Sequence, residues 1–143
     1  YSLSNIENIS SLYMAQKMSS SKSLVKLTKS EILLKLSNLP KYNKNNKFNW
    51  NVTDNSNIHD PTDLKLYRNF KFKTFEDTWA FLTKIAMRSH LTAHHPTIIN
   101  TYNKVTLELN THDVNGLTDL DFKLAKRFSD YAFKIGEIEQ VDD

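Results

Sequence analysis

The chain has 143 residues, which suits one domain with a core large enough to fold without disulfides or metals. It has no cysteine, which excludes disulfides, thiolate zinc sites and cysteine nucleophiles, and its two glycines are too few for a P-loop or a dinucleotide-binding fingerprint. The formal charge is +3 with the lysines spread along the chain, so we expect no nucleic-acid partner, and no apolar run approaches the roughly 18 residues that would span a membrane.

Residues 1–26 differ in composition from the rest of the chain. They are rich in serine, contain Glu7 as their one acidic residue and lack arginine. Serine-rich, acid-poor segments resemble organelle transit peptides or their remnants. We therefore expect a tail of mitochondrial targeting origin, followed by one folded domain over residues 27–143. A cytoplasmic protein with a disordered tail is the alternative.

A helix is predicted at the start of the folded domain. Thr28 and Glu31 stand three residues apart, which is the spacing of a capping box. Apolar residues then recur at helical spacing until Pro40 ends the run: Ile32, Leu33, Leu36 and Leu39.

Two strands are predicted after a polar loop. The first is indicated by apolar residues that alternate with polar ones: Phe48, Trp50 and Val52. A polar turn region follows, in which we interpret His59 as a surface residue. The second strand covers residues 64–73, and Arg68 interrupts its otherwise apolar face.

A second helix is predicted from Thr74, which can cap it, with Asp77 at the third helical position. Its buried face is predicted from one apolar stripe: Phe75, Trp79, Leu82 and Ala86. We expect this helix to end near Ser89, and both tryptophans of the chain to lie in the core.

Two more strands and a helix complete the predicted order. Residues 98–102 form the third strand, and the cleanest alternation in the chain predicts the fourth: Val105, Leu107 and Leu109. A helix start near Thr118 leads into the last amphipathic helix: Leu120, Leu124, Phe128, Tyr131 and Ile135. This order predicts an α+β fold, a two-layer sandwich in which a four-stranded antiparallel sheet carries three helices on one face.

Four of the five histidines lie in one short window, which favours proton-transfer chemistry. If the third and fourth strands form a hairpin, the pair His94-His95 and the later His112 converge at one end of the sheet. Asp121, in the first turn of the last helix, can accept an imidazole N–H and fix its tautomer. Two imidazoles at one site can divide the roles of acid and base.

Other interpretations of the same residues remain open. A histidine pair before a proline is common in surface loops, a lone histidine at a strand end is often structural, and Asp121 also has the position of a capping residue. Zinc binding is a further alternative, although ligand spacings such as H-E-x-x-H are missing.

The segment HHPTIINTYNKVTLELNTHDVNGLTDLD resembles the signature of the pterin-4a-carbinolamine dehydratases. The similarity continues upstream through FKFKTFEDTWAFLTKIA and covers about residues 27–135. It implies a homodimeric or homotetrameric enzyme that converts 4a-hydroxytetrahydropterin to quinonoid dihydropterin without cofactor or metal. The residues that carry it are His94-His95-Pro96, Tyr102-Asn103-Lys104-Val105, Thr111-His112, Gly116-Leu117 and Asp121.

The resemblance also implies roles for individual residues. His94 and His112 form the acid–base pair, His95 helps to hold the pterin, and Asp121 orients an imidazole. Further pterin contacts are expected from His90, Pro96, Asn110 and Thr111. Because family members also act as dimerisation cofactors for other proteins, a non-catalytic protein-interaction module on the same fold is the alternative function.

Three positions depart from the family pattern. His90 stands where many members carry an acid, Ala93 precedes the pair where an acid is common, and Asn110 replaces a serine. The first two changes remove negative charge beside the histidine pair, so we expect reduced activity or a different pterin substrate.

Overall fold

The computed structural model describes residues 24–41, 49–53 and 62–140. The predictions for residues 1–23, for the polar loop with Phe48 and for His59 lie outside the described residues. The observed elements are α1 (Lys29–Asn38), β1 (Asn51–Val52), β2 (Leu66–Lys71), α2 (Phe75–Thr92), β3 (Thr97–Thr101), β4 (Lys104–Leu109), a 3-10 helix (His112–Val114) and α3 (Asp119–Ile135). The predicted order of three helices and two strand pairs is confirmed. No helix in the described ranges is long and apolar enough to cross a membrane.

The four strands form one antiparallel sheet in the order β1-β2-β4-β3. β4 lies between β2 and β3, and its alternating pattern is confirmed because Val105, Leu107 and Leu109 are all buried. These side chains join a single core with apolar residues of β2 and of all three helices. The α+β fold predicted from the sequence is therefore the fold observed.

Capping boxes begin two of the three helices. In α1 the Glu31 amide donates to the Thr28 hydroxyl, and the Thr28 amide donates to the Glu31 carboxylate at 3.3 Å. Pro40 follows the end of this helix, as predicted. The Thr118–Asp121 box at the start of α3 matters more for function, because it places Asp121 in a buried position.

The predicted buried face of α2 is wrong. Phe75 and Trp79 are 47% and 51% exposed, and Ala86 is exposed as well, so Leu82 is the one residue of the predicted stripe that is buried. The buried face of the helix consists of Thr78, Phe81, Leu82, Ile85 and Ser89. The Phe81 ring lies 4.8 Å from the Phe70 ring of β2 and 4.9 Å from the ring of Phe72 just after this strand, and these contacts set the rotation of the helix.

Several element ends also differ from prediction. α2 continues past Ser89 to Thr92, which places His90 in its last turn. β1 contains two residues only, and Trp50, just before it, is buried with its indole N–H donating to Ser129 Oγ at 2.8 Å. β2 is two residues shorter at each end than predicted, and β3 begins and ends one residue earlier.

Arg68 interrupts the apolar face of β2 because it belongs to a buried ion pair. Its Nη2 donates to both carboxylate oxygens of Glu137 at 2.9 and 3.0 Å, and its guanidinium lies 4.2 Å from the Phe70 ring centre. Glu137 follows α3 and forms a β-bridge with Phe72. Burial raises the pKa of Glu137 from 4.5 to about 7, an effect that the Arg68 charge opposes.

Candidate active site

The backbone of His94 is fixed by the way α2 ends. Ala93 adopts a left-handed conformation, with φ 52° and ψ 36°, and its amide donates to the His90 carbonyl at 3.2 Å. The His94 amide reaches back to the Ser89 carbonyl at 3.1 Å. These bonds are typical of a Schellman motif, and they set His94 at the junction between α2 and β3.

The side chain of His94 is held by Asp121. The Nε2–Oδ1 distance is 2.6 Å, the imidazole is 11% exposed and the carboxyl group is completely buried. Because a carboxylate only accepts hydrogen bonds, the shared proton belongs to Nε2. Nδ1 is therefore the ring nitrogen that remains for a ligand.

Asp121 receives two further hydrogen bonds through its other oxygen. Oδ2 accepts the Thr111 hydroxyl at 2.8 Å and the Thr118 amide at 3.0 Å. The carboxyl group also lies in the first turn of α3, where the helix dipole favours negative charge. Three donors and the helix terminus together offset the lost hydration of this buried group.

A tight loop after β4 presents His112. The Thr111 amide donates to the Gly116 carbonyl at 2.8 Å, and the two residues form a β-bridge that closes the loop. Asn115 takes the left-handed conformation that the turn requires, with φ 51°. His112 begins the enclosed 3-10 helix with an exposed side chain, one residue from the Thr111–Asp121 contact.

The predicted hairpin of β3 and β4 is confirmed, with Thr97 opposite Glu108 at the end that carries the histidines. His95 is exposed, and His90 is exposed one turn earlier on α2. Pro96 and Asn110 are half-buried beside the ends of the two strands. The assignment of catalytic and substrate-binding roles to these residues stays a prediction.

Thr118 is a part of this network that sequence reasoning did not include among the site residues. Its hydroxyl lies 2.9 Å from the Thr111 hydroxyl, and both side chains are buried. The available signal was its capping-box spacing with Asp121. Among the residues that the structure describes, no three histidine or acidic side chains are grouped to hold a metal ion.

The fold and this site together define a class of protein. It is an α+β sandwich in which a β-hairpin and a helix start place a histidine against a buried carboxylate, a pairing suited to acid–base chemistry.

The model of the family described as Pterin 4 alpha carbinolamine dehydratase matches residues 25–131, so the chain belongs to this family. A predicted pterin-4-alpha-carbinolamine dehydratase of Saccharomyces cerevisiae is 47% identical over 75 residues, which are 48% of this chain and 62% of the yeast protein. A Rhizobium meliloti protein of the same description is 45% identical over 67 residues, 47% of this chain and 64% of the relative. The matched segments thus span somewhat less than two thirds of these relatives.

A solved structure shares the fold. The crystal structure of a transcriptional coactivator/pterin dehydratase from Brucella melitensis superposes with a TM-score of 0.63 at 31% identity. The superposition covers 76% of this chain and 99% of the Brucella chain.

Proposed function

We propose that this protein dehydrates 4a-hydroxytetrahydropterin to quinonoid dihydropterin. The reaction protonates the 4a-hydroxyl group, which leaves as water, and removes the proton from N5 as the C4a=N5 double bond forms. Two protons move and no electrons are transferred, so side chains that exchange protons near neutral pH suffice. The observation that carries the proposal is the 2.6 Å contact between His94 and the buried Asp121.

The geometry supports different roles for the two histidines. His94 takes the N5 proton through Nδ1, because Asp121 on Nε2 stabilises the imidazolium that forms. His112, which is exposed on its loop, donates the proton to the leaving hydroxyl. The exposed His95 helps to hold the pterin.

The test is a stopped-flow assay of dehydration with chemically generated 4a-hydroxytetrahydropterin. We expect His94→Ala and His112→Ala each to lower the rate at least about a hundredfold with the fold intact, because each removes one proton-transfer group. Lys126→Ala, an exposed change on α3 outside the predicted site, is the control and should keep the wild-type rate. Wild-type rates in both site variants would refute the assigned roles.

A non-catalytic interaction module is the second candidate function. The observation that favours it is the exposed apolar surface of α2, together with the description of the Brucella structure as a coactivator as well as a dehydratase. In that case the wild-type protein shows no dehydration, and a partner protein binds equally well to the double variant His94→Ala/His112→Ala.

We also propose that the protein is a homo-oligomer. α2 exposes large apolar side chains that a lone chain leaves in water: Phe75, Trp79, Met87 and Leu91. Tyr102, in the turn after β3, stacks parallel to Phe75 and enlarges this surface. A second copy of the chain would cover it.

A further inference from the structure

Thr111 was expected to contact the pterin, but its surroundings suggest another role. The residue is 2% exposed, and its hydroxyl lies 2.8 Å from Asp121 Oδ2 and 2.9 Å from Thr118 Oγ1. A side chain so enclosed reaches a ligand only through its neighbours.

The direction of the hydrogen bonds follows from counting protons. A threonine hydroxyl has one proton, and Asp121 can only accept, so the Thr111 proton points to Asp121. The bond between the two hydroxyls must then be donated by Thr118. The result is a directed chain from Thr118 through Thr111 to Asp121, which in turn accepts the N–H of His94.

The backbone of Thr111 has a separate function. Its amide donates to the Gly116 carbonyl and closes the loop that carries His112. The residue therefore touches the supports of both histidines, through its hydroxyl for His94 and through its backbone for His112.

We propose that Thr111 is a positioning residue that holds His94 and His112 in a fixed relation, with the Thr118 hydroxyl as its support. The hydroxyl fixes the plane of the Asp121 carboxylate, because Oδ2 is then held by two donors while Oδ1 binds His94. With one donor left, the carboxylate rotates more freely, and the imidazole loses orientation relative to the substrate. This inference rests on the proposed dehydration.

The test compares Thr111→Val, which removes the hydroxyl and keeps the shape, with Thr111→Ser, which restores the hydroxyl. We expect Thr111→Val to lower kcat on the order of tenfold with KM unchanged, and Thr111→Ser to recover most of the rate. Thr106→Val on β4 is the matched control, because its hydroxyl donates to Asn69 at 2.6 Å, outside the site. It should keep the wild-type kcat.

A second measurement does not depend on catalysis. In protein with 15N-labelled histidine rings, the Nε2–H proton of His94 should give a downfield NMR signal in the wild type and in Thr111→Ser. The signal should move upfield or broaden in Thr111→Val. If Thr111→Val fails to fold, Thr118→Val tests the same chain of hydrogen bonds by removing the hydroxyl that donates to Thr111. We expect it to change kcat and the NMR signal in the same direction, by a smaller amount.

The outcomes separate the two proposals. An inactive wild type with the NMR change present refutes the proposed function and keeps Thr111 as a positioning residue. A raised KM with unchanged kcat and an unchanged NMR signal returns Thr111 to the role of a pterin contact and overturns the inference. Wild-type kinetics together with an unaltered signal also overturn it.

Discussion

Ala93 contributes to the candidate site through its backbone conformation, which sets the position of His94 after α2. It ends α2 in a left-handed conformation that a Cβ atom disfavours by about 1 kcal/mol. Asparagine and aspartate tolerate this conformation better, which gives a physical reason for the acid that family members often carry here.

We expect Ala93→Gly to raise the free energy of unfolding by roughly 0.5–1 kcal/mol, because glycine relieves the left-handed strain. The measurement is urea denaturation. Ala86→Gly, at an exposed position within α2, is the control and should be destabilising by about 1 kcal/mol. Equal losses of unfolding free energy in the two variants would show that the backbone of Ala93 is not strained.

At the residue level, part of the site was predictable. The contact between Asp121 and an imidazole was expected, since a helix start and a hairpin end had to meet. The part played by the threonine hydroxyls was not predictable, because a buried hydroxyl and a ligand-binding one look the same in a sequence. Only the neighbours in space decide between them.

Among the elements, α2 shows that helical periodicity alone does not identify the buried face of a helix. Two apolar stripes fit helical spacing on this helix, and the exposed one carries the larger aromatic rings. The sheet selects the other stripe through the contacts of Phe81 with β2. Capping boxes and the alternation of β4 were predicted correctly because they depend on residues close in sequence. Arg68 could not be explained from the sequence, since its partner Glu137 lies 69 residues away.

The ion pair of Arg68 and Glu137 joins the segment after α3 to β2 and makes stability depend on pH. The folded-state pKa of Glu137, about 7, lies above its ordinary value of 4.5, so the folded protein holds this proton more tightly than the unfolded chain. This contribution to stability is complete below pH 4.5 and is lost as the pH rises towards 7.

The prediction concerns the difference in unfolding free energy between the wild type and Glu137→Gln. The glutamine has no proton to lose at this position. From pH 4.5 to 7.5 the wild type should lose on the order of 2 kcal/mol of unfolding free energy relative to the variant. Denaturant titrations at four or five pH values measure it. A difference that stays constant over this range, or grows in favour of the wild type, contradicts the prediction.

For the whole molecule, the exposed aromatic side chains of α2 determine the expected assembly. We expect the wild type to sediment as a dimer or tetramer and Trp79→Glu to shift it towards the monomer, because a charge in an apolar interface is poorly solvated. Phe133→Glu, which changes a 76% exposed ring on α3, is the matched control and should leave the mass unchanged. A monomeric wild type at micromolar concentration would rule out the homo-oligomer.

Asp121 caps the start of α3 through Oδ2 and binds His94 through Oδ1. Its bond to Thr118 spans three residues, whereas its bond to His94 spans 27, so the helix start can form early in folding and the imidazole is captured later. If the proposed dehydration is correct, a substitution of Asp121 lowers the stability of the fold and the dehydration rate together. In a saturation library of position 121, the variants that fold poorly and those that lose the proposed dehydration should therefore overlap.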